Sequence, residues 1–184
     1  MTTHRQIIVA GPSTAGKSTF AHQLVKTYFL QHIPIDPIIE GFEDVFPELG
    51  ITHRALSLAA HRTVCEKFQP FLFRMIDGLR DDDFVIEGFR MPLEAIIEKY
   101  RSTHQVIVFG YPRNTPAERL ALCRRYDTIN WTNALSDEEL LDIFAFFIDE
   151  SRRIEAICRQ QRVAFFDTST EYRDTIRAAT DVVS

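Results

Sequence analysis

With 184 residues, of which 45% are apolar, the chain is long enough for a sizeable core, and we expect residues 1–184 to form a single domain. Its formal net charge of −5 argues against bulk nucleic-acid binding, because proteins with that function carry a basic surplus that neutralises backbone phosphates. We expect a cytoplasmic protein with no membrane partner, since no apolar run is long enough to cross a bilayer and the first residues lack a secretory pattern.

Short apolar runs alternate with longer segments of helical periodicity along the chain. The runs lack the polar alternation of half-exposed strands, which indicates strands that are covered on both faces. The pattern therefore predicts an α/β fold with five parallel strands between layers of helices. The predicted strands are Gln6–Ala10, His32–Asp36, Phe84–Glu87, Gln105–Phe109 and Val163–Asp167. The predicted helices are Lys17–Tyr28, Thr52–Phe68 with a break at Pro70 and a continuation to Leu79, Pro92–Tyr100, Thr115–Arg125, one or two helices after Ser136, and a last helix after the fifth strand.

A phosphate-binding motif follows the first strand directly and opens the first helix. The residues from Gly11 to Ser18 read Gly-Pro-Ser-Thr-Ala-Gly-Lys-Ser, which fits G-x-x-x-x-G-K-[ST] without deviation. Glycines at both ends let successive amides point at anionic oxygens, and the helix N-terminus favours negative charge at the same place. We therefore expect Lys17 to reach the β- and γ-phosphates of ATP and Ser18 to ligate Mg²⁺. The predicted nucleotide-binding residues are Gly11, Ser13, Thr14, Ala15, Gly16, Lys17, Ser18 and Thr19.

The second and third strands both end in a carboxylate, Asp36 and Glu87. In open parallel sheets, ligands bind beyond the carboxyl ends of the strands, so these two positions are candidates for the site. The run Phe-Val-Ile that precedes Glu87 is typical of the strand whose terminal acid holds Mg²⁺ in P-loop proteins, directly or through water. The alternative for Glu87 is an acid that merely caps its strand.

The segment Ile-Glu-Gly-Phe-Arg-Met-Pro, which contains Glu87 and Arg90, resembles the D-G-F-P-R segment of adenylate kinases. The layout of the chain is similar to the nucleoside-monophosphate-kinase-like branch of P-loop kinases, which includes shikimate, gluconate and adenylylsulfate kinases. This resemblance implies a three-layer P-loop fold with strand order 2-3-1-4-5, ATP on the loop, an acceptor-binding segment at 37–80 and an arginine-rich lid at 113–136. It also implies that Arg90 binds an anionic group of the acceptor, although Glu in place of Asp and a shift of one residue separate the two segments.

The resemblance gives Asp36 a role as the group that accepts the proton of the acceptor hydroxyl or helps to place Mg²⁺. Because Asp36 precedes Pro37, the alternative is a residue that simply starts a turn. His53, His61 and Arg54 lie in the same acceptor segment; we expect surface or packing roles for them, and the alternative is contact with the substrate.

Four arginines follow the fourth strand within thirteen residues: Arg113, Arg119, Arg124 and Arg125. In the resembled kinases, arginines here close over ATP and stabilise charge on the transferred phosphoryl group, which electrostatics also favours. We assign this catalytic role to Arg119 and Arg124; the alternative is a set of solvent-exposed helix arginines. After the fifth strand, Asp167, Thr168 and Ser169 are candidates for the base pocket by the same resemblance.

These features together predict ATP- and Mg²⁺-dependent transfer of a phosphoryl group to a small-molecule acceptor, a nucleotide or another anionic metabolite. One alternative is a kinase that acts on a nucleic-acid end or another macromolecule, which would share every motif described above. Another is a regulatory nucleotide-binding protein, but the N/T-K-x-D segment that reads the base in such switches is missing from the sequence.

Overall fold

A five-stranded parallel sheet of order β2-β3-β1-β4-β5 forms the centre of the molecule in the computed structural model, which describes residues 4–126 and 131–183. The strands are β1 (Gln6–Ala10), β2 (Gln31–Pro34), β3 (Phe84–Gly88), β4 (Gln105–Gly110) and β5 (Ala164–Asp167). The helices are α1 (Lys17–Tyr28), α2 (Asp36–Val45), α3 (Leu58–Gly78), α4 (Leu93–Tyr100), α5 (Pro116–Tyr126), α6 (Asp137–Gln161) and α7 (Tyr172–Val183), with short 3₁₀ turns at Pro47–Leu49 and Trp131–Ala134. The predicted α/β class and strand order are confirmed.

Helices cover both faces of the sheet, and successive residues of the central strand β1 face opposite layers. Ile7 and Val9 pack with buried residues of α1, α7 and the first half of α6. Ile8 and Ala10 pack with α2, α3, α4 and the end of α6. β1 is thus buried on both sides, which explains why its sequence is continuously apolar rather than alternating. Within the described ranges, no helix is long and apolar enough to span a bilayer.

The prediction that the second strand runs to Asp36 is wrong. β2 ends at Pro34, and Asp36 is instead the first residue of α2, a helix that the sequence pattern did not reveal. Pro37 suits this position, because the first turn of a helix needs no backbone N–H donor at that point. Asp36 still lies at the carboxyl edge of the sheet, since Pro34 pairs with Glu87 and Ile35 N donates to Glu87 O at 2.8 Å.

The predicted helix break at Pro70 is also wrong, and so is the predicted start at Thr52. α3 begins after Ser57, whose side chain accepts a hydrogen bond from Ala60 N, and it continues through Pro70 without interruption. Pro70 lies on the exposed side, so water can serve the carbonyl group that proline leaves without a partner. Phe68 and Leu72 on either side are fully buried, and their packing keeps the helix continuous.

The segment after Ser136 is one helix of 25 residues, α6. The predicted capping box is confirmed: Ser136 Oγ accepts from Glu139 N, and the Glu139 carboxylate accepts from Ser136 N at 2.8 Å. This helix contributes to both core layers, since Phe144 and Ile154 belong to different clusters. The middle of the predicted lid, residues 127–130, lies outside the described residues.

Candidate functional site

The turn between β1 and α1 has the backbone shape that the phosphate-loop prediction requires. Gly11, Thr14 and Gly16 adopt positive φ angles of 143°, 64° and 102°. The φ angle of Gly16 favours glycine, and a Cβ atom there would also lie only 2.8 Å from Ile176 Cδ1, which would have to shift. The turn closes with a hydrogen bond from Ala15 N to Pro12 O at 3.3 Å. The result is a tight loop that leads into the N-terminus of α1 at the carboxyl edge of the sheet.

The ammonium group of Lys17 is held inside this loop. Lys17 is 5% exposed, and its Nζ donates to Pro12 O at 3.0 Å across the turn. A buried ammonium needs several acceptors, and a single carbonyl leaves most of its hydrogen-bonding capacity free for an anion. Lys17 therefore lies where the sequence motif predicts, with its charge directed into the loop.

Ser18 and Glu87 form a pair of oxygen ligands next to the loop. Ser18 Oγ donates to Glu87 Oε1 at 2.9 Å, and His32 Nε2 lies 3.5 Å from the same oxygen. Burial by itself raises the pKa of this carboxyl, but the neighbouring imidazole, ammonium and hydroxyl groups outweigh burial and hold the pKa below its usual value. A carboxylate and a hydroxyl in contact are hard donors of the kind that Mg²⁺ prefers, so the residues present fit this metal.

The structure brings Asp36 and Arg90 together near the carboxyl edge of the sheet, and each has an unsatisfied atom. In the described part of the chain, Asp36 Oδ1 and Arg90 Nε are buried without a hydrogen-bond partner. Arg90 is 2% exposed, and burial lowers its pKa, but a guanidinium remains charged at neutral pH. His53 links the two residues, because its carbonyl accepts from Arg90 Nη2 at 2.7 Å and its Nε2 lies 2.9 Å from Asp36 O. A buried acceptor and a buried donor with free valences are suited to a polar ligand.

The position of Arg90 depends on His61, which the sequence pattern did not identify as a site residue. His61 Nδ1 lies 2.5 Å from Arg90 Nη1, and the imidazole stacks on Phe89 with ring centroids 4.2 Å apart. Burial, together with the charges of Arg90 and Arg153, lowers the pKa of His61 to about 3. The ring is therefore neutral and accepts the hydrogen bond from Arg90. On its other side, His61 Nε2 is 3.7 Å from the buried carboxylate of Glu150.

Arg119 lies against the phosphate loop, whereas Arg124 lies elsewhere. Arg119 is 6% exposed and donates to the carbonyl of Thr14 and to Thr14 Oγ1. Arg124 instead binds the Asp137 carboxylate at 2.8 Å and the carbonyls of Thr132 and Leu135. The structure thus brings Arg119 together with the loop, whereas the side chain of Arg124, also on α5, contacts the start of α6 and the residues before it. The catalytic role of Arg124 stays a prediction.

A cavity of about 880 Å³ opens beside the loop and extends towards α5 and α7. Of the predicted base-pocket residues, Thr168 contributes to its wall and fixes the loop, since Thr168 Oγ1 donates to Ala15 O at 3.1 Å. Asp167 and Ser169 bond to each other instead, with a distance of 2.9 Å between Ser169 N and Asp167 Oδ1. The cavity wall includes Thr14, Lys17, Arg119, Tyr126, Thr168 and Tyr172.

A second cavity, of about 510 Å³, lies at the opposite edge of the sheet, between Arg5, Asp83 and Arg101. None of the predicted site residues lines it. The cavity beside the loop is therefore the one that fits the rule that ligands bind at the carboxyl ends of parallel strands.

Tyr111 is a further residue of the site that the sequence pattern did not reveal. Its hydroxyl donates to Ser13 O at 2.9 Å, and its ring lies under the guanidinium of Arg119 at 3.9 Å. These contacts join residues that are far apart along the chain, so no local spacing announces them. The only signal is the position of Tyr111, a hydroxyl-bearing residue immediately after a buried strand.

No protein-family model matches the chain, and no curated protein matches its sequence. Solved structures do match its fold. A shikimate kinase from Bacteroides thetaiotaomicron is 16% identical, with a TM-score of 0.59 and coverage of 97% of this chain and 98% of that one. A shikimate kinase from Acinetobacter baumannii in complex with shikimate is 16% identical, with a TM-score of 0.56 and coverage of 98% and 93%. A putative kinase from Chloroflexus aurantiacus is 15% identical, with a TM-score of 0.53 and coverage of 100% and 97%. The chain shares the fold of these shikimate kinases, and the resemblance drawn from the sequence is confirmed at the level of the fold.

Proposed function

We propose that the protein is a P-loop kinase that transfers a phosphoryl group from ATP, with Mg²⁺, to a small-molecule acceptor. The observation that supports this most strongly is the placement of Ser18 Oγ 2.9 Å from Glu87, directly beside a loop of phosphate-binding shape. A loop alone fits any bound anion, whereas a loop with adjoining hard oxygen ligands fits a polyphosphate and its metal.

The residues of the nucleotide side have defined tasks in this proposal. The loop amides and the N-terminus of α1 bind the phosphates, and Lys17 exchanges its bond to Pro12 O for phosphate oxygens. Ser18 and Glu87 hold Mg²⁺. When bound, ATP supplies the phosphoryl group, and Mg²⁺ neutralises charge on its oxygens. Arg119, already in contact with the loop, stabilises the charge that develops during transfer.

On the acceptor side, Asp36 and Arg90 orient the acceptor. The free Oδ1 of Asp36 accepts a hydrogen bond from the acceptor hydroxyl and receives its proton during transfer. The free Nε of Arg90 donates to an anionic or carbonyl oxygen of the same molecule. We propose residues 37–80 as the segment that surrounds the acceptor and residues 113–136 as the lid.

A thermal-unfolding panel tests this function. It compares the protein alone, with ATP, with Mg²⁺, with Mg·ATP, with Mg·GTP, and with a Mg·ATP analogue plus candidate hydroxyl-bearing anions. A ligand at 100 times its dissociation constant should raise the free energy of unfolding by about 2.7 kcal/mol. We expect Mg·ATP to stabilise the fold more than either ATP or Mg²⁺ alone. Failure of every nucleotide to stabilise it would contradict the proposal.

The acceptor that the panel identifies allows a test of Arg90. Arg90→Lys keeps the charge but loses the fork that contacts His61 and His53, so we expect the acceptor KM to rise at least about tenfold while nucleotide affinity is unchanged. Arg153→Lys is a matched control, since Arg153 also makes a forked contact with a buried group, the Glu150 carboxylate, but lies on α6. An unchanged acceptor KM in Arg90→Lys would remove Arg90 from the acceptor site.

A further inference from the structure

The side chain of Tyr111 contacts the phosphate loop and holds one of its carbonyl groups. Tyr111 follows β4 directly, and its side chain is completely buried. Its hydroxyl donates to Ser13 O at 2.9 Å, and its backbone N–H donates to Ser151 Oγ on α6 at 3.2 Å. Tyr111 is therefore held at its backbone N–H by α6 and at its side-chain hydroxyl by the loop.

Arg119 holds the next carbonyl of the same loop. Its guanidinium lies on the Tyr111 ring at 3.9 Å and donates to the carbonyl and hydroxyl oxygens of Thr14. Thr14 has a φ angle of 64°, a conformation that costs a β-branched residue free energy and persists only where surrounding contacts enforce it. The stacked pair of Tyr111 and Arg119 provides those contacts.

Two consecutive loop carbonyls, those of Ser13 and Thr14, are thus held by donors outside the loop. In a trans peptide group, the C=O and the following N–H point in opposite directions. Holding these two carbonyls therefore turns the amides of Thr14 and Ala15 away from Tyr111 and Arg119. The Ala15 amide does point across the turn, since it donates to Pro12 O at 3.3 Å. The Thr14 amide, oriented in this way before a ligand arrives, needs no reorganisation when phosphate binds, and the Ala15 amide exchanges only its long bond to Pro12 O.

We propose that Tyr111 is a positioning residue that orients the amides of the phosphate loop for nucleotide binding, acting through Ser13 and together with Arg119. This inference rests on the proposed function, because it concerns the affinity of the same loop for a nucleotide. Tyr111 itself touches no ligand in this account. Its contribution is the loop conformation that the free protein already holds.

Calorimetric titration with the magnesium complex of a non-hydrolysable ATP analogue tests this role in Tyr111→Phe. The variant loses only the hydroxyl and keeps the ring under Arg119. We expect the dissociation constant to rise about three- to tenfold, the effect of one hydrogen bond that orders the loop. Tyr100→Phe is the matched control, because Tyr100 is also buried and its hydroxyl donates to Asp77 Oδ1 at 2.9 Å, in the other core layer.

A purely structural role for the Tyr111 hydroxyl predicts that both variants lose stability and that both bind the analogue as tightly as wild type; that result overturns the inference. Wild-type protein that binds no analogue overturns the proposed function, and the inference with it. Hydrogen exchange of residues 11–16 in the free proteins gives a second readout. Faster exchange in Tyr111→Phe but not in Tyr100→Phe supports the inference, and equal exchange in all three proteins contradicts it.

Discussion

Replacement of Gly11 by alanine tests whether the loop needs the backbone conformation seen here. A Cβ atom at this position would lie 2.1 Å from Phe109 O and 3.0 Å from Phe109 C, both backbone atoms of β4. The oxygen cannot move away easily, since β4 pairs with β1 immediately before the loop, where Ala10 faces Val108. Gly11 also has a φ angle of 143°, which L-residues rarely adopt.

The backbone strain and the steric overlap can be added to estimate how much the free energy of unfolding falls. A non-glycine residue in such a backbone region costs about 1–3 kcal/mol, and forcing an extra carbon into packed structure costs about 1–3 kcal/mol. We therefore expect Gly11→Ala to lower the free energy of unfolding by about 2–6 kcal/mol. Gly41→Ala is the control, because Gly41 lies inside α2 with no atom within 4 Å of a new Cβ. There alanine should stabilise the helix by about 0.5–1 kcal/mol.

Urea unfolding of the two variants and wild type measures both values, provided that the m-value is unchanged. Changes of opposite sign in the free energy of unfolding of Gly11→Ala and Gly41→Ala support the close approach of the loop to β4. A loss below about 1 kcal/mol in Gly11→Ala would refute the close approach of the loop to β4, because the strain alone should exceed that figure.

Two further predictions concern ionisable groups of the site. Glu87→Gln should weaken the apparent affinity for Mg²⁺ in nucleotide titrations by at least about tenfold, because an amide is a poorer magnesium ligand than a carboxylate; an unchanged affinity would remove Glu87 from the metal site. For His61, the folded pKa of about 3 lies below the usual 6.5, so the unfolded chain takes up the proton first and stability falls as the pH drops from about 6.5 towards 3. Between pH 7 and pH 5 this loss amounts to about 2 kcal/mol, and urea unfolding of His61→Gln should show a pH dependence that is smaller by this amount; an identical dependence in both proteins would contradict a buried neutral ring.

The sequence predicted the fold class because apolar runs and the loop motif are local signals. β1 is buried on both faces, and its uninterrupted apolar run shows this directly. The strand order came from resemblance rather than from the pattern, since pairing between β2, β3 and β1 leaves no local trace. Proline caused two of the errors: Pro37 concealed the start of α2, and Pro70 suggested a break in α3 that packing overrides.

The candidate site could be predicted only where a motif or a strand end marks it. Lys17 and Ser18 follow from the loop motif, and Glu87 follows from the end of its strand. His61 and Tyr111 act through contacts with Arg90 and the loop that span 29 and 98 residues of sequence. Contacts of this length are created by the fold, and a neutral buried histidine looks the same in a sequence as an exposed one.

The proposed function requires the loop between β1 and α1 to bind the phosphates of a nucleotide. Equilibrium titration of wild type and Lys17→Ala with Mg·ATP measures this binding, and the unfolding free energy of both proteins shows whether the fold is retained. We expect saturable binding by wild type and affinity at least about tenfold weaker in the variant, with the fold retained, because the variant lacks the Lys17 ammonium that is directed into the loop. Absence of binding in wild type, or equal affinity in the two proteins, would contradict binding of the phosphates by this loop.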